Sequence, residues 1–213
     1  MDLPDTLPAR LYLLAFRPGT RQFSYHRHLG LIMRAAALTE LLQRGLLIDD
    51  RGRPRLGRPA PAGLDPVLAA VLAEIAEQRP RRVLRPRSWR RWIAANPGVT
   101  ERAVRDRLRD DGLVIVSDHR ARGLFPNRTR IRCDPAAHRQ LVAVVEATLS
   151  GPVEAVEPWQ AALVALAAAA ELGAVLDGRT RWANRHRIRE LKALTGPTPD
   201  ALHRAIVAKR SAY

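Results

Sequence analysis

The sequence is poor in cysteine, lysine and aromatic residues, and each shortage narrows what the chain can be. A single cysteine, Cys133, excludes a disulfide framework within the chain and points to an intracellular compartment. Lysine is confined to Lys192 and Lys209 beside 34 arginines. With abundant alanine, that bias reads as GC-rich codons and a bacterial source. Aromatic residues make up 5% of the 213 residues. No apolar run approaches the roughly 20 residues of a bilayer-spanning helix. The longest, Ala161 to Ala170, falls well short, so any membrane association is expected to be peripheral. The opening MDLPDTLPAR is acidic and carries prolines, unlike a signal peptide.

Chemical motifs are scarce too. There is no GxGxxG after a strand, no GxxxxGK[ST], no HExxH and no GxSxG. Cys133 and His138 lack the two further ligands of a zinc site. His26 and His28 flank Arg27 without a third ligand, and no carboxylate pair invites acid–base work. The expectation is a binding protein, not an enzyme, with no metal and no cofactor.

What is present is apolar bulk and positive charge. Hydrophobic residues at 46% suffice for a sizeable core. Lys and Arg number 36 against 21 Asp and Glu, a net of +15. The excess is local: residues 79–139 hold 17 arginines and six acids. Like charges at that density repel unless an anion is at hand, and the planar arginine fork suits phosphate.

Periodicity predicts a mainly α chain, a single helical domain over 1–213 with small β-hairpins and its core over about 6–210. A short helix begins near Pro8, capped by Asp5 or Thr6, and ends at Pro18-Gly19. Leu29 to Arg44 is apolar nearly all round, which predicts a central helix stopped by Gly45. Arg34 is conspicuous as the lone cation of its first four turns; it either faces a ligand or pairs with a carboxylate such as Glu40 or Asp106. A hairpin is expected over 46–56, then a helix from Leu64 to Ile75 with Asp65 as cap and Pro66 at its first position. The arginine- and proline-rich stretch after Arg79 is expected to be extended. Ser88 then caps a short helix, Pro97-Gly98 breaks it, and Thr100 caps the next, 101–111. A hairpin follows over 113–133 with its tip near Gly123-Leu124-Phe125-Pro126. Further helices are expected from Asp134-Pro135 to Leu149, over 159–176, from about Thr180 to Leu194, and over 200–210.

Two functions fit the basic region. Helix, turn, helix and hairpin, with Arg128, Arg130 and Arg132 on one strand face, is the element order of a winged-helix DNA-binding protein. The hairpin tip argues otherwise. Leu124 and Phe125 lie between Arg120 and Arg122 on one side and Arg128 and Arg130 on the other, a pattern suited to insertion at an anionic lipid surface. A DNA wing gains little from Leu-Phe at its tip. A tip packed on the body or on a second subunit is the plainer alternative.

Several segments together resemble the Golgi phosphoprotein 3 family. Leu38-Thr39-Glu40-Leu41-Leu42-Gln43-Arg44-Gly45 resembles that family's "hydrophobic-x-Glu-Leu-x-x-Arg-Gly" helix end. Val104-Arg105-Asp106-Arg107-Leu108, followed by Gly112-Leu113-Val114, is similar to its "VRxRL…GhL" segment. The basic hairpin, its Leu-Phe tip, Asp134-Pro135 and the later apolar helix keep the family's order over roughly residues 6–210. The resemblance implies a mostly α-helical peripheral membrane protein that binds phosphatidylinositol 4-phosphate on the cytosolic face of the Golgi and acts as an adaptor. It implies headgroup contacts from Tyr25, where the family has tryptophan, and from Arg34, Arg102 and Arg105. It implies as partners an anionic phospholipid membrane or phosphoinositide, the tails of membrane enzymes, and a second copy through the 113–132 hairpin. In a bacterial member another anionic phospholipid would replace the Golgi lipid.

Overall fold

A computed structural model of the chain describes residues 3–17, 22–23, 28–77, 87–119 and 128–211. Its centre is α2 (Leu29–Gln43), in which every residue from Leu29 to Leu41 is buried. A helix apolar on all sides has to be wrapped, and α2 is. Around it pack α1 (Leu7–Ala15), α3 (Pro66–Ala76), α4 (Trp89–Ile93), α5 (Pro97–Asp110), α7 (Pro158–Ala169) and α10 (Thr198–Arg210). One continuous apolar cluster runs from Leu7 in α1 to Ile206 in α10, so the chain forms the single, mainly α domain expected.

The end of α2 shows how local chemistry sets the path. Gly45, at φ +68°, takes the left-handed conformation that closes the helix. Its N–H donates to the Leu42 carbonyl and that of Leu46 to the Leu41 carbonyl. The chain then runs into a ribbon of β3 (Leu47–Asp49) and β4 (Pro54–Leu56), the first expected hairpin. Upstream, Thr6 occupies the N-cap position of α1 without a side-chain bond. The Leu7 N–H donates instead to Glu40 Oε2 of α2 at 2.8 Å, and Arg44 closes on the other oxygen of that carboxylate.

Asp65 and Asp134 cap their helices as expected: each side chain accepts two N–H groups of the first turn, in α3 and in α6 (Pro135–Ser150). Other boundaries differ. Pro97-Gly98 opens α5 where a break was expected, because proline is pre-organised for a first helical turn. Asn96 holds the N-cap position in a left-handed conformation, and Thr100 is a buried residue inside the helix. The apolar helix expected over 159–176 stops at Ala169, where Glu171 takes φ +54° and Leu172 bonds back to Ala167. The helix expected from Thr180 to Leu194 is two, α8 (Gly178–Ala183) and α9 (Arg185–Thr195), meeting at Asn184. A third ribbon, β1 (Phe16–Arg17) with β2 (Gln22–Phe23), was not anticipated. The basic hairpin is β5 (Val114–His119) paired with β6 (Arg128–Cys133).

Candidate functional site: the arginine surface of α5

The geometry around α5 starts with a close helix contact. A side chain at Gly30 of α2 would meet the Pro97 carbonyl at 2.6 Å, so only glycine lets α2 approach the start of α5 this closely. One turn on, Arg34 is fully buried. Its guanidinium binds Glu74 of α3 through two parallel bonds of 3.0 and 2.6 Å. It also donates to the Trp92 carbonyl of α4 at 3.2 Å and to Thr100 Oγ1 of α5 at 3.3 Å. Asn96 Nδ2 adds a bond to Glu74 at 3.3 Å. A buried guanidinium has to be matched this fully, since an unmatched one would be too costly to bury. The carboxylate opposite Arg34 is therefore Glu74, neither Glu40 nor Asp106. Four of its five N–H groups are used within the protein, on Glu74, Thr100 and the Trp92 carbonyl, so in this structure Arg34 braces the start of α5.

Arg102 sits at the same end of α5 and has the opposite fate. It is exposed, and its guanidinium lies back over the first turn, 3.6 Å from where a Gly98 side chain would begin. Among the described residues no carboxylate lies within ion-pair distance of it. The other α5 arginines are engaged: Arg105 with Asp106, Arg107 with Asp111, and Arg109 with Asp106 and Asp110. Arg105 is only a quarter exposed, and its Nε, 3.5 Å from Asp106, makes no hydrogen bond among the described residues. Arg102 and Arg105 are three apart and share a helix face, as their spacing requires, while Thr100, Val104 and Leu108 are buried.

The neighbouring surface adds charge of the same sign. On α4, Trp89, Trp92 and Ile93 are buried while Arg90 and Arg91 are exposed. Arg87, just before it, lies over the Trp92 ring at 5.2 Å. In the basic ribbon, Val114 and Cys133 are buried, whereas the pair Ile115–Arg132 is exposed. Arg130 and Arg128 stand opposite Ser117 and His119, at register positions of the same parity as Arg132. Tyr25, Arg120, Arg122, Leu124 and Phe125 lie outside the described residues.

Cys133 and His138 take structural roles. Burial pushes the Cys133 thiol up to about 12, so it stays a protonated, apolar side chain at neutral pH. His138 Nδ1 donates to the Leu13 carbonyl at 3.0 Å. Among the described residues no three His, Cys, Asp or Glu side chains gather as metal ligands. No helix among them is long and apolar enough to cross a membrane.

The winged-helix arrangement fares differently from its element order. α4, α5 and the ribbon are not a separable module: α5 is packed on α1, α2 and α3, and α4 on α2 and α10. What sequence reasoning missed is Glu74, the partner that decides the role of Arg34; it stands forty residues away on another helix. A search of curated proteins found no match. Comparison with family models matched Golgi phosphoprotein 3 (GPP34) over residues 7–209, from the first turn of α1 to the last of α10. The chain belongs to the Golgi phosphoprotein 3 family.

Proposed function

We propose that this protein binds the phosphorylated headgroup of an anionic phospholipid, phosphatidylinositol 4-phosphate or a bacterial equivalent, and docks peripherally on the cytosolic face of a membrane. The observation that carries this reading is Arg102: an exposed guanidinium with no carboxylate within ion-pair distance among the described residues, on a helix where Asp106, Asp110 and Asp111 pair with other arginines. Arg105 stands beside it with an Nε that makes no hydrogen bond among the described residues. Two forks three residues apart can hold one phosphate by charge-assisted bonds. Tyr25 is assigned the headgroup's flank. Arg34 acts from below, holding Thr100 and so the first turn of α5.

Arg87, Arg90 and Arg91 supply the field that draws an anionic surface toward α5. Leu124 and Phe125 insert, with Arg120, Arg122, Arg128 and Arg130 as their basic rim. The protein works by binding, without chemistry of its own; the tails of membrane enzymes and a second copy through the 113–132 hairpin are its proposed protein partners.

Liposome flotation with and without phosphoinositide, run beside a duplex DNA mobility shift, tests the function. Phosphoinositide-dependent flotation is expected. Salt-sensitive DNA binding with no flotation would overturn it in favour of a nucleic-acid protein.

A further inference from the structure

A second basic surface lies away from α5, on α8 and α9. Residues 178–195 carry six cations against Glu190 alone. Three of the six have internal duties. Arg181 donates to the Leu176 carbonyl, Arg187 holds the Thr148 and Gly151 carbonyls at the end of α6, and Lys192 faces Asp200. Arg179, Arg185 and Arg189 are exposed, and among the described residues no carboxylate lies within ion-pair distance of them. Beside them Trp182 is 70% exposed, although an indole buries more apolar area than almost any other side chain. Arg185 lies over its ring at 4.9 Å, so the indole stays fixed at the surface. Trp182 is the one aromatic among the large hydrophobic side chains exposed in the described residues.

We propose that Trp182 with Arg179, Arg185 and Arg189 forms a second membrane contact, which binds anionic phospholipid by charge and by insertion of the indole at the headgroup boundary. It goes beyond the α5 site because it needs no phosphorylated headgroup. A tryptophan ringed by unpaired cations matches that boundary on both counts: an amphipathic ring that prefers the interface, and arginines attracted to a negative surface. Single-stranded nucleic acid fits less well, since it calls for successive aromatic platforms and this surface offers one.

The test uses intrinsic fluorescence and flotation of the full chain. Trp89 and Trp92 are buried and Trp159 is half-buried, so a change in emission on adding vesicles reports chiefly on Trp182. Vesicles of phosphatidylcholine alone, with phosphatidylserine, and with phosphatidylserine plus phosphoinositide are compared. A blue shift on phosphatidylserine vesicles is expected in the wild type and in the double variant Arg102→Ala, Arg105→Ala. Trp182→Ala should abolish it. Trp182→Ala and the double variant Arg185→Gln, Arg189→Gln should each bind those vesicles about tenfold more weakly. Flotation of the wild type without a blue shift, or of Trp182→Ala with unchanged affinity, overturns the proposal. So does quenching by an oligonucleotide with no response to vesicles. A wild type that shows the blue shift on phosphatidylserine vesicles but binds no more tightly when phosphoinositide is added would contradict the α5 site and leave this one standing.

Discussion

Arg34 and Arg102 meet at the first turns of α5 and differ in everything but chemistry. Arg34 is fully buried and makes four hydrogen bonds, to both oxygens of Glu74, to Thr100 and to the Trp92 carbonyl. Arg102 is exposed and has no carboxylate partner among the described residues. The role of an arginine follows from what surrounds it. The interior one ties α2, α3, α4 and α5 into one body; the exposed one has no carboxylate to hold it among the described residues, which is why we propose it for an external anion. The two should therefore separate in experiment, one carrying stability and the other affinity.

The largest effect is expected from Glu74→Ala. It leaves the Arg34 charge buried without its counter-ion, which costs about 3 kcal/mol. Chemical denaturation should show it, and Glu74→Gln should recover part of the loss. A variant as stable as the wild type would mean that Arg34 finds other partners and is no brace. Gly30→Ala comes next, because its methyl group would press on the Pro97 carbonyl. Overpacking of that kind costs about 1–3 kcal/mol and should displace the start of α5. Unchanged stability together with unchanged lipid affinity would show that the close helix contact does not set the position of Arg102.

A smaller effect concerns the second buried carboxylate. Burial raises Glu40 above its ordinary 4.5, against the opposing bonds from Leu7 and Arg44. A raised carboxyl contributes its stability in full below the ordinary value and loses it as pH climbs through the folded one. Relative to Glu40→Gln, the wild type should thus lose stability as pH rises above the ordinary carboxylate range. A wild type that gains instead would show that Leu7 and Arg44 outweigh desolvation. The smallest effect on stability is expected at the hairpin tip. Leu124→Ser with Phe125→Ser should leave thermal unfolding within about 0.5 kcal/mol while weakening vesicle binding about tenfold. Loss of stability with lipid affinity intact would make the tip a packing element, and loss of self-association alone would make it a subunit contact.

Much of the scaffold was legible in the sequence, because its signals are local. The apolar run from Leu29 announced a central helix, Asp65 and Asp134 announced helix starts, and Gly45 a helix end. The misplaced boundaries share a cause. Pro97-Gly98 can break a helix or begin one, and the packing of Gly30 against Pro97 decides which. Glu171 closes α7 in a conformation that favours glycine, so composition carried no warning. The site was half legible. The spacing of Arg102 and Arg105 placed them on one face, but the burial of Arg34 depends on Glu74, and no spacing rule links residues forty apart. Trp182 lies in a basic helical stretch where sequence alone does not distinguish an exposed ring from a packed one.

The central claim is that Arg102 and Arg105 of α5 bind a phosphorylated headgroup independently of the fold. Equilibrium binding of Arg102→Ala to vesicles with and without phosphoinositide, alongside its unfolding free energy, tests it most directly. The account predicts stability within about 0.5 kcal/mol of wild type and a loss of about tenfold in affinity confined to the phosphoinositide vesicles. Equal affinity of variant and wild type for both kinds of vesicle would contradict it.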